Sequence, residues 1–119
     1  MKVVLIDDTP EIAELLTFAL RDHGYDVFAS NFTGDIINLL DEQNADALVV
    51  NCTALEMSEA IFDSVRAARA TLPIVMVSDT PEKADASLQK RHAEHVLLIP
   101  KPFSGSQIAR ALDQLLRTE

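Results

Sequence analysis

The feature that most constrains this chain is a set of short, wholly apolar runs, each stopping at a polar side chain. Val3-Val4-Leu5-Ile6 ends at Asp7-Asp8, Ala47-Leu48-Val49-Val50 ends at Asn51, and Pro73-Ile74-Val75-Met76-Val77 ends at Ser78. A strand with one wet face alternates apolar and polar residues, whereas an unbroken run belongs to a strand covered on both faces. His95-Val96-Leu97-Leu98-Ile99 is another such run, and Tyr25 to Ser30 reads as the remaining strand. Between the runs the apolar period changes to that of a helix. Ile12, Leu15, Leu16, Ala19 and Leu20 follow Thr9-Pro10, an N-cap and first-turn pair, and Gly24 closes the segment. Ile36, Ile37, Leu39 and Leu40 mark a second helix, and Ile61, Phe62, Val65 and Ala68 a third. Ala84 and Leu88 after Thr80-Pro81 mark a fourth, and Ile108, Ala111, Leu112, Leu115 and Leu116 a fifth. Five strands alternating with five helices predict an α/β fold: a doubly wound, five-stranded parallel sheet with helices on both faces, in three layers. No linker or low-complexity tract interrupts the pattern, so residues 1–119 are expected to form one domain.

Composition excludes several classes of function. The net charge of −9 argues against a direct nucleic-acid surface, which needs a basic patch, and suits partners with basic surfaces. No apolar run approaches the roughly 18 residues of a membrane span, and MKVVLIDDTP is too short and too acidic for an export signal. A single cysteine, Cys52, can form no internal disulfide and suits a reducing compartment. The expected location is the cytoplasm, away from membranes. The three glycines are scattered and form no phosphate loop, and no Ser-His-Asp arrangement falls at the strand ends. The chain is therefore not expected to be an enzyme.

Sites in open parallel sheets form at the carboxyl ends of the strands. Asp7, Asp8, Asn51, Cys52, Ser78 and Asp79 lie there, with Lys101 following the fifth strand. Adjacent carboxylates repel unless a hard cation such as Mg²⁺, or a facing lysine, offsets them. The Cys52 side chain should point opposite to that of Asn51, into apolar packing, as an inert thiol. His92 and His95 straddle a turn without a third ligand, which disfavours a metal role. His23 reads as a cation at a helix C-terminus, and Arg66 and Arg69 as exposed arginines on an Ala-rich helix.

Three segments carry a resemblance. LIDDTPEIAELLTFALRDHGYDV, PIVMVSD and IPKPF, in that order and spacing, resemble the first β-α-β segment, the fourth strand and the lysine-proline-phenylalanine signature of response-regulator receiver domains. The resemblance covers essentially the whole chain and implies a flavodoxin-like fold of receiver type. It implies that Asp7 and Asp8 hold Mg²⁺, completed by the backbone carbonyl of Thr53. Ser78 and Lys101 would contact phosphate, Leu98 would occupy the switch position, and the bond before Pro102 would be cis. The family's phosphoacceptor aspartate falls at Asn51. A neutral amide is a very poor nucleophile, so phosphoryl transfer is not expected, and Mg²⁺ binding should be weak or absent. Ala54, Leu55 and Glu59 depart from the family's usual Met-Pro and glycine after the acceptor, Leu98 replaces its usual aromatic residue, and Asp79 replaces a small one.

The reading is a receiver-like signalling module of a two-component phosphorelay that acts through protein–protein contacts without phosphorylation. The alternative is a normal Mg²⁺-dependent phosphoacceptor receiver carrying an aspartate-to-asparagine change at position 51. Expected partners are a histidine kinase, a phosphotransfer protein or an output domain. The face of the fourth helix, fifth strand and fifth helix would be the contact surface, with Lys83, Gln89, Lys90, Arg91, Ile108 and Leu112 upon it. The same face would serve a homodimer.

Overall fold

A computed structural model describes residues 1–31, 34–101 and 103–117. Strands and helices alternate: β1 (Lys2–Asp7), α1 (Pro10–Asp22), β2 (Asp26–Ser30), α2 (Ile36–Gln43), β3 (Ala47–Asn51), α3 (Leu55–Ala68), β4 (Ile74–Ser78), α4 (Pro81–Lys90), β5 (Val96–Pro100) and α5 (Gly105–Arg117). All strand pairs are parallel, in the order β2-β1-β3-β4-β5. The apolar runs of β1, β3 and β4 occupy the three inner positions, and β3 and β4 are buried along their whole length.

Alternation along each strand divides the core into two. Val3, Leu5, Val49, Val75 and Val77 pack with Leu16 and Leu20 of α1 and Ile108 and Leu112 of α5. Val4, Ile6, Leu48, Val50, Ile74 and Met76 point the other way, against Ile36, Leu40, Ile61, Phe62, Val65 and Leu88 of α2, α3 and α4. The result is the three-layer, doubly wound α/β sheet that the periodicity implies.

Two glycines have structural causes. Gly24 follows the cap of α1 at φ 104°, a left-handed conformation that suits a residue without Cβ. Gly105 opens α5, where an added Cβ would overlap the Cβ of Ala19, so its missing side chain sets how closely α1 and α5 approach.

The structure corrects several local expectations. Thr9 and Thr80 precede Pro10 and Pro81, but neither caps its helix through its side chain. Each instead gives its backbone N–H to a strand-end side chain two residues earlier: Thr9 to Asp7 Oδ1 at 2.9 Å and Thr80 to Ser78 Oγ at 3.0 Å. Helix α3 begins at Leu55, six residues ahead of the first apolar marker, with Ala54 offering no capping side chain that could have signalled it. Strand β2 starts at Asp26 rather than Tyr25, and β5 at Val96 because His95 takes φ 57°. Ile108 and Leu112 are fully buried beneath the sheet and cannot form a contact face. Arg66 and Arg69 are not free. Arg66 donates to the carbonyls of Arg69, Glu94 and His95, and Arg69 pairs with Asp41. His23, at the end of α1, reaches Asp113 of α5 at 2.9 Å.

Candidate functional site

Among the described residues the buried polar side chains are Asp7, Asn51, Ser58 and Ser78. Three of these four end β1, β3 and β4, so the fold concentrates its costly buried polarity at one sheet edge. Asp7 and Asn51 are register partners on adjacent strands, 2% and 3% exposed. Asn51 Nδ2 donates to Asp7 Oδ2 at 3.0 Å, and Thr9 N–H donates to the other oxygen. Burial raises the Asp7 pKa above the usual carboxylate value; the Thr9 and Asn51 hydrogen bonds and the Lys101 charge oppose this, and the Asp8 charge adds to it.

Asp8 is exposed and turns toward the β3–α3 loop. Thr53 supplies its backbone N–H to Asp8 Oδ2 at 2.8 Å and its hydroxyl to Oδ1 at 3.1 Å. Ser78 Oγ faces the Thr80 hydroxyl at 3.3 Å, and the Lys101 N–H donates to the Ser78 carbonyl at 2.8 Å, which fixes the loop after β5 beside β4. Lys101 itself is half-buried. The buried Cys52 has its thiol pushed up to about 11 by burial first and by Asp8 next, which makes it inert as a nucleophile near neutral pH. Leu98 is half-buried and packs against the core on the side of α2, α3 and α4. Pro102 lies outside the described residues. A groove of about 680 Å³ between α1 and β2 is lined by Asp7, Glu14, Phe18, Arg21 and Asn31.

Asp7, Asp8, Asn51, Thr53, Ser78 and Lys101 are thus gathered at one edge. Thr9 and Thr80 also join this edge, through their backbone N–H groups. Their signal was a threonine two residues after a strand-end acceptor, the spacing of a side-chain-to-backbone turn.

Among the described residues this edge offers a magnesium ion the two carboxylates of Asp7 and Asp8 and no clustered third. All four carboxylate oxygens of Asp7 and Asp8 already accept protein hydrogens, and Asn51 turns an N–H, not an oxygen, toward Asp7. The described residues hold no group of three His, Cys, Asp or Glu able to grip an ion. Asn51 Oδ1 is buried without a partner. Flipping the amide would set that oxygen 3.0 Å from a carboxylate oxygen, a repulsive contact, so the observed orientation follows from Asp7. In this arrangement the amide hydrogen does what a cation would do, neutralising one face of Asp7.

The sequence pattern of the response regulator receiver domain family matches residues 3–113. The chain is 27% identical over 118 residues to the probable transcriptional regulatory protein TcrX of Mycobacterium tuberculosis, covering 97% of this chain and 49% of that protein. It is 26% identical over 121 residues to the DNA-binding response regulator MtrA of Mycolicibacterium smegmatis, covering 99% and 52%. The chain therefore spans about half the length of the curated relatives it matches. Among solved structures, HP1043, an orphan response regulator of Helicobacter pylori, superposes with a TM-score of 0.81 at 18% identity, covering 98% of this chain and 97% of that one. An atypical orphan response regulator with a phosphorylation-independent regulatory mechanism gives 0.82 at 17% identity, covering 100% and 98%. The receiver domain of the Francisella response regulator 1452 gives 0.76 at 24% identity, covering 99% and 98%. These structural likenesses are of fold. The match across residues 3–113 establishes that this chain belongs to the response regulator receiver domain family of two-component signalling, with a buried asparagine, Asn51, closing its third strand.

Proposed function

We propose that this receiver domain signals through protein contacts and is not phosphorylated at Asn51, the position matching the family's phosphoacceptor. The observation that carries this reading is the buried Asn51 amide donating to Asp7. A neutral amide engaged as a donor offers no carboxylate oxygen to attack phosphorus. Ser78 and Lys101 then stand as phosphate-contact residues without a phosphoryl group to hold. Asp7, Asp8 and Thr53 stand as a metal site whose Mg²⁺ affinity is weak or lost. The domain acts as a binding module in the cytoplasm, without turnover of its own; among the described residues no helix is long and apolar enough to cross a membrane.

The partner is a histidine kinase, a phosphotransfer protein or an output domain, not nucleic acid directly. Two features support a protein partner. Helix α1 exposes Leu15 and Phe18 at 67% and 71%, beside the acidic Glu11, Glu14 and Asp22. Strand β5 lies at a sheet edge with Val96 to Ile99 only half-buried, and this edge, with exposed Lys83, Gln89 and Lys90, is the surface for a homodimer. The test is incubation with Mg²⁺ and acetyl phosphate, read by intact mass. No phosphoryl adduct is expected; an adduct mapped to the pocket would refute the reading.

A second reading has its own support, since Asp7, Asp8, Ser78 and Lys101 all persist around Asn51. In that case the domain is a phosphoacceptor receiver with one side chain changed, and Asn51→Asp alone would produce rapid, Mg²⁺-dependent labelling.

A further inference from the structure

Among the described residues helix α4 buries Ala84 and Leu88, two residues as in α1 and α2, whereas α3 and α5 bury four each. The C-terminal end of α4 is also tied to α3 by polar groups. Arg91, the residue capping α4, grips Asp63 of α3 with both arms of its guanidinium, Nε to Oδ1 at 2.7 Å and Nη2 to Oδ2 at 3.1 Å. Its remaining arm donates to Ser87 Oγ at 2.6 Å and lies 3.4 Å from Glu59 Oε2. Ser87 passes its own hydroxyl hydrogen to the same Glu59 oxygen. Glu59 and Asp63 lie one turn apart on α3, so Arg91 and Ser87 meet a prepared pair of carboxylates.

The turn leaving α4 is held from the same helix. Arg66, three residues beyond Asp63, lies over the Phe62 ring at 5.2 Å and sends Nη2 to the carbonyls of Glu94 and His95, each at 2.9 Å. Those bonds brace a turn in which His92 and His95 both adopt left-handed φ, 50° and 57°, a conformation unfavourable for residues with a side chain. The basic cluster expected on α4 is thus divided: Lys83 and Lys90 face solvent, and Arg91 faces α3. None of these bonds reaches Asp7, Asn51 or Ser78.

We infer that the Arg91–Asp63–Glu59–Ser87 network and the Arg66 brace form a clasp that sets the position of α4 and the α4–β5 turn independently of the Asn51 pocket. The inference does not depend on whether Asn51 can be phosphorylated, because its readout is α4 itself.

Hydrogen–deuterium exchange read by mass spectrometry on the 119-residue chain tests it, with peptides from residues 79–95 as the reporter and from 1–8 and 47–52 as the control for folding. Arg91→Ala should raise exchange across 79–95 by about tenfold with the sheet peptides unchanged, and Asn51→Ala should leave 79–95 within about twofold. If Arg91→Ala loosens the sheet as well, Asp63→Asn is read in its place, with a rise of about threefold expected in 79–95 alone. Unchanged exchange in the clasp variant, or a rise in 79–95 caused by Asn51→Ala of the size expected for Arg91→Ala, would overturn the inference.

Discussion

Replacing Asn51 by aspartate converts its hydrogen bond to Asp7 into a repulsion. The amide nitrogen now 3.0 Å from Asp7 Oδ2 would become a second carboxylate oxygen, both groups being almost fully buried. Two unit charges at that separation, at an effective dielectric constant near 20, repel by about 5 kcal/mol. Lys101 offsets part of this, and the pair relieves more by sharing a proton, so a net loss of about 2–4 kcal/mol at neutral pH is expected for Asn51→Asp without metal. That is a large share of the roughly 5–15 kcal/mol that holds a typical domain folded. The pH dependence has a definite sign. A carboxylate whose folded pKa lies above its unfolded value is most favourable below the unfolded value, and that advantage disappears as pH rises through the folded one. The cost of Asn51→Asp should therefore be small near pH ~4 and grow toward neutrality. Urea unfolding followed by circular dichroism between those limits measures it, with and without millimolar Mg²⁺. The cation should recover stability in the variant and leave the parent unchanged. A variant as stable as the parent at neutral pH without Mg²⁺ would refute the idea that the Asn51 amide neutralises Asp7.

Four further measurements bear on the same structure. Asp7 itself has a raised pKa from burial, so the parent should lose stability as pH climbs above the usual carboxylate value; Asp7→Asn should flatten that slope in urea midpoints. Gly105→Ala should cost about 1–3 kcal/mol in thermal unfolding because its methyl group meets Ala19, while Gly34→Ala, with nothing within 4 Å, should stay within about 0.5 kcal/mol. Tyr25, the sole tyrosine, should remain un-ionised well above its ordinary pKa of 10.0 in an ultraviolet titration, owing to burial and to its hydrogen bond to Asp113; Asp113→Asn should bring the transition partway back. Thr53→Val should release Asp8 from its hydroxyl contact but not from the backbone N–H, costing about 1 kcal/mol or less at this exposed position.

Local sequence carried the architecture because burial on both faces leaves a direct trace. Val3–Ile6, Ala47–Val50 and Ile74–Val77 contain no polar residue, a pattern that suits parallel strands covered by helices on both faces, although the equally apolar Val96–Ile99 of β5 lies at the sheet edge. It also carried the membership of the site, since Asp7, Asn51 and Ser78 are where those runs stop, and parallel strands bring their carboxyl ends to one edge. Tertiary structure alone decided which partner each polar group found. Periodicity marks Arg91 as polar but cannot say that α3 presents Asp63 and Glu59 to it. It marks Ile108 and Leu112 as apolar but not that they lie beneath the sheet rather than on a contact face. Composition marks Asp8 and Thr53 as able to bond, yet their meeting, 45 residues apart, depends on β1 lying beside β3. Apolar burial is non-directional and is written in the spacing of residues along the chain. Hydrogen bonds and ion pairs are directional and short-ranged, so their outcome waits until the sheet order and the helix packing have placed the donors and acceptors.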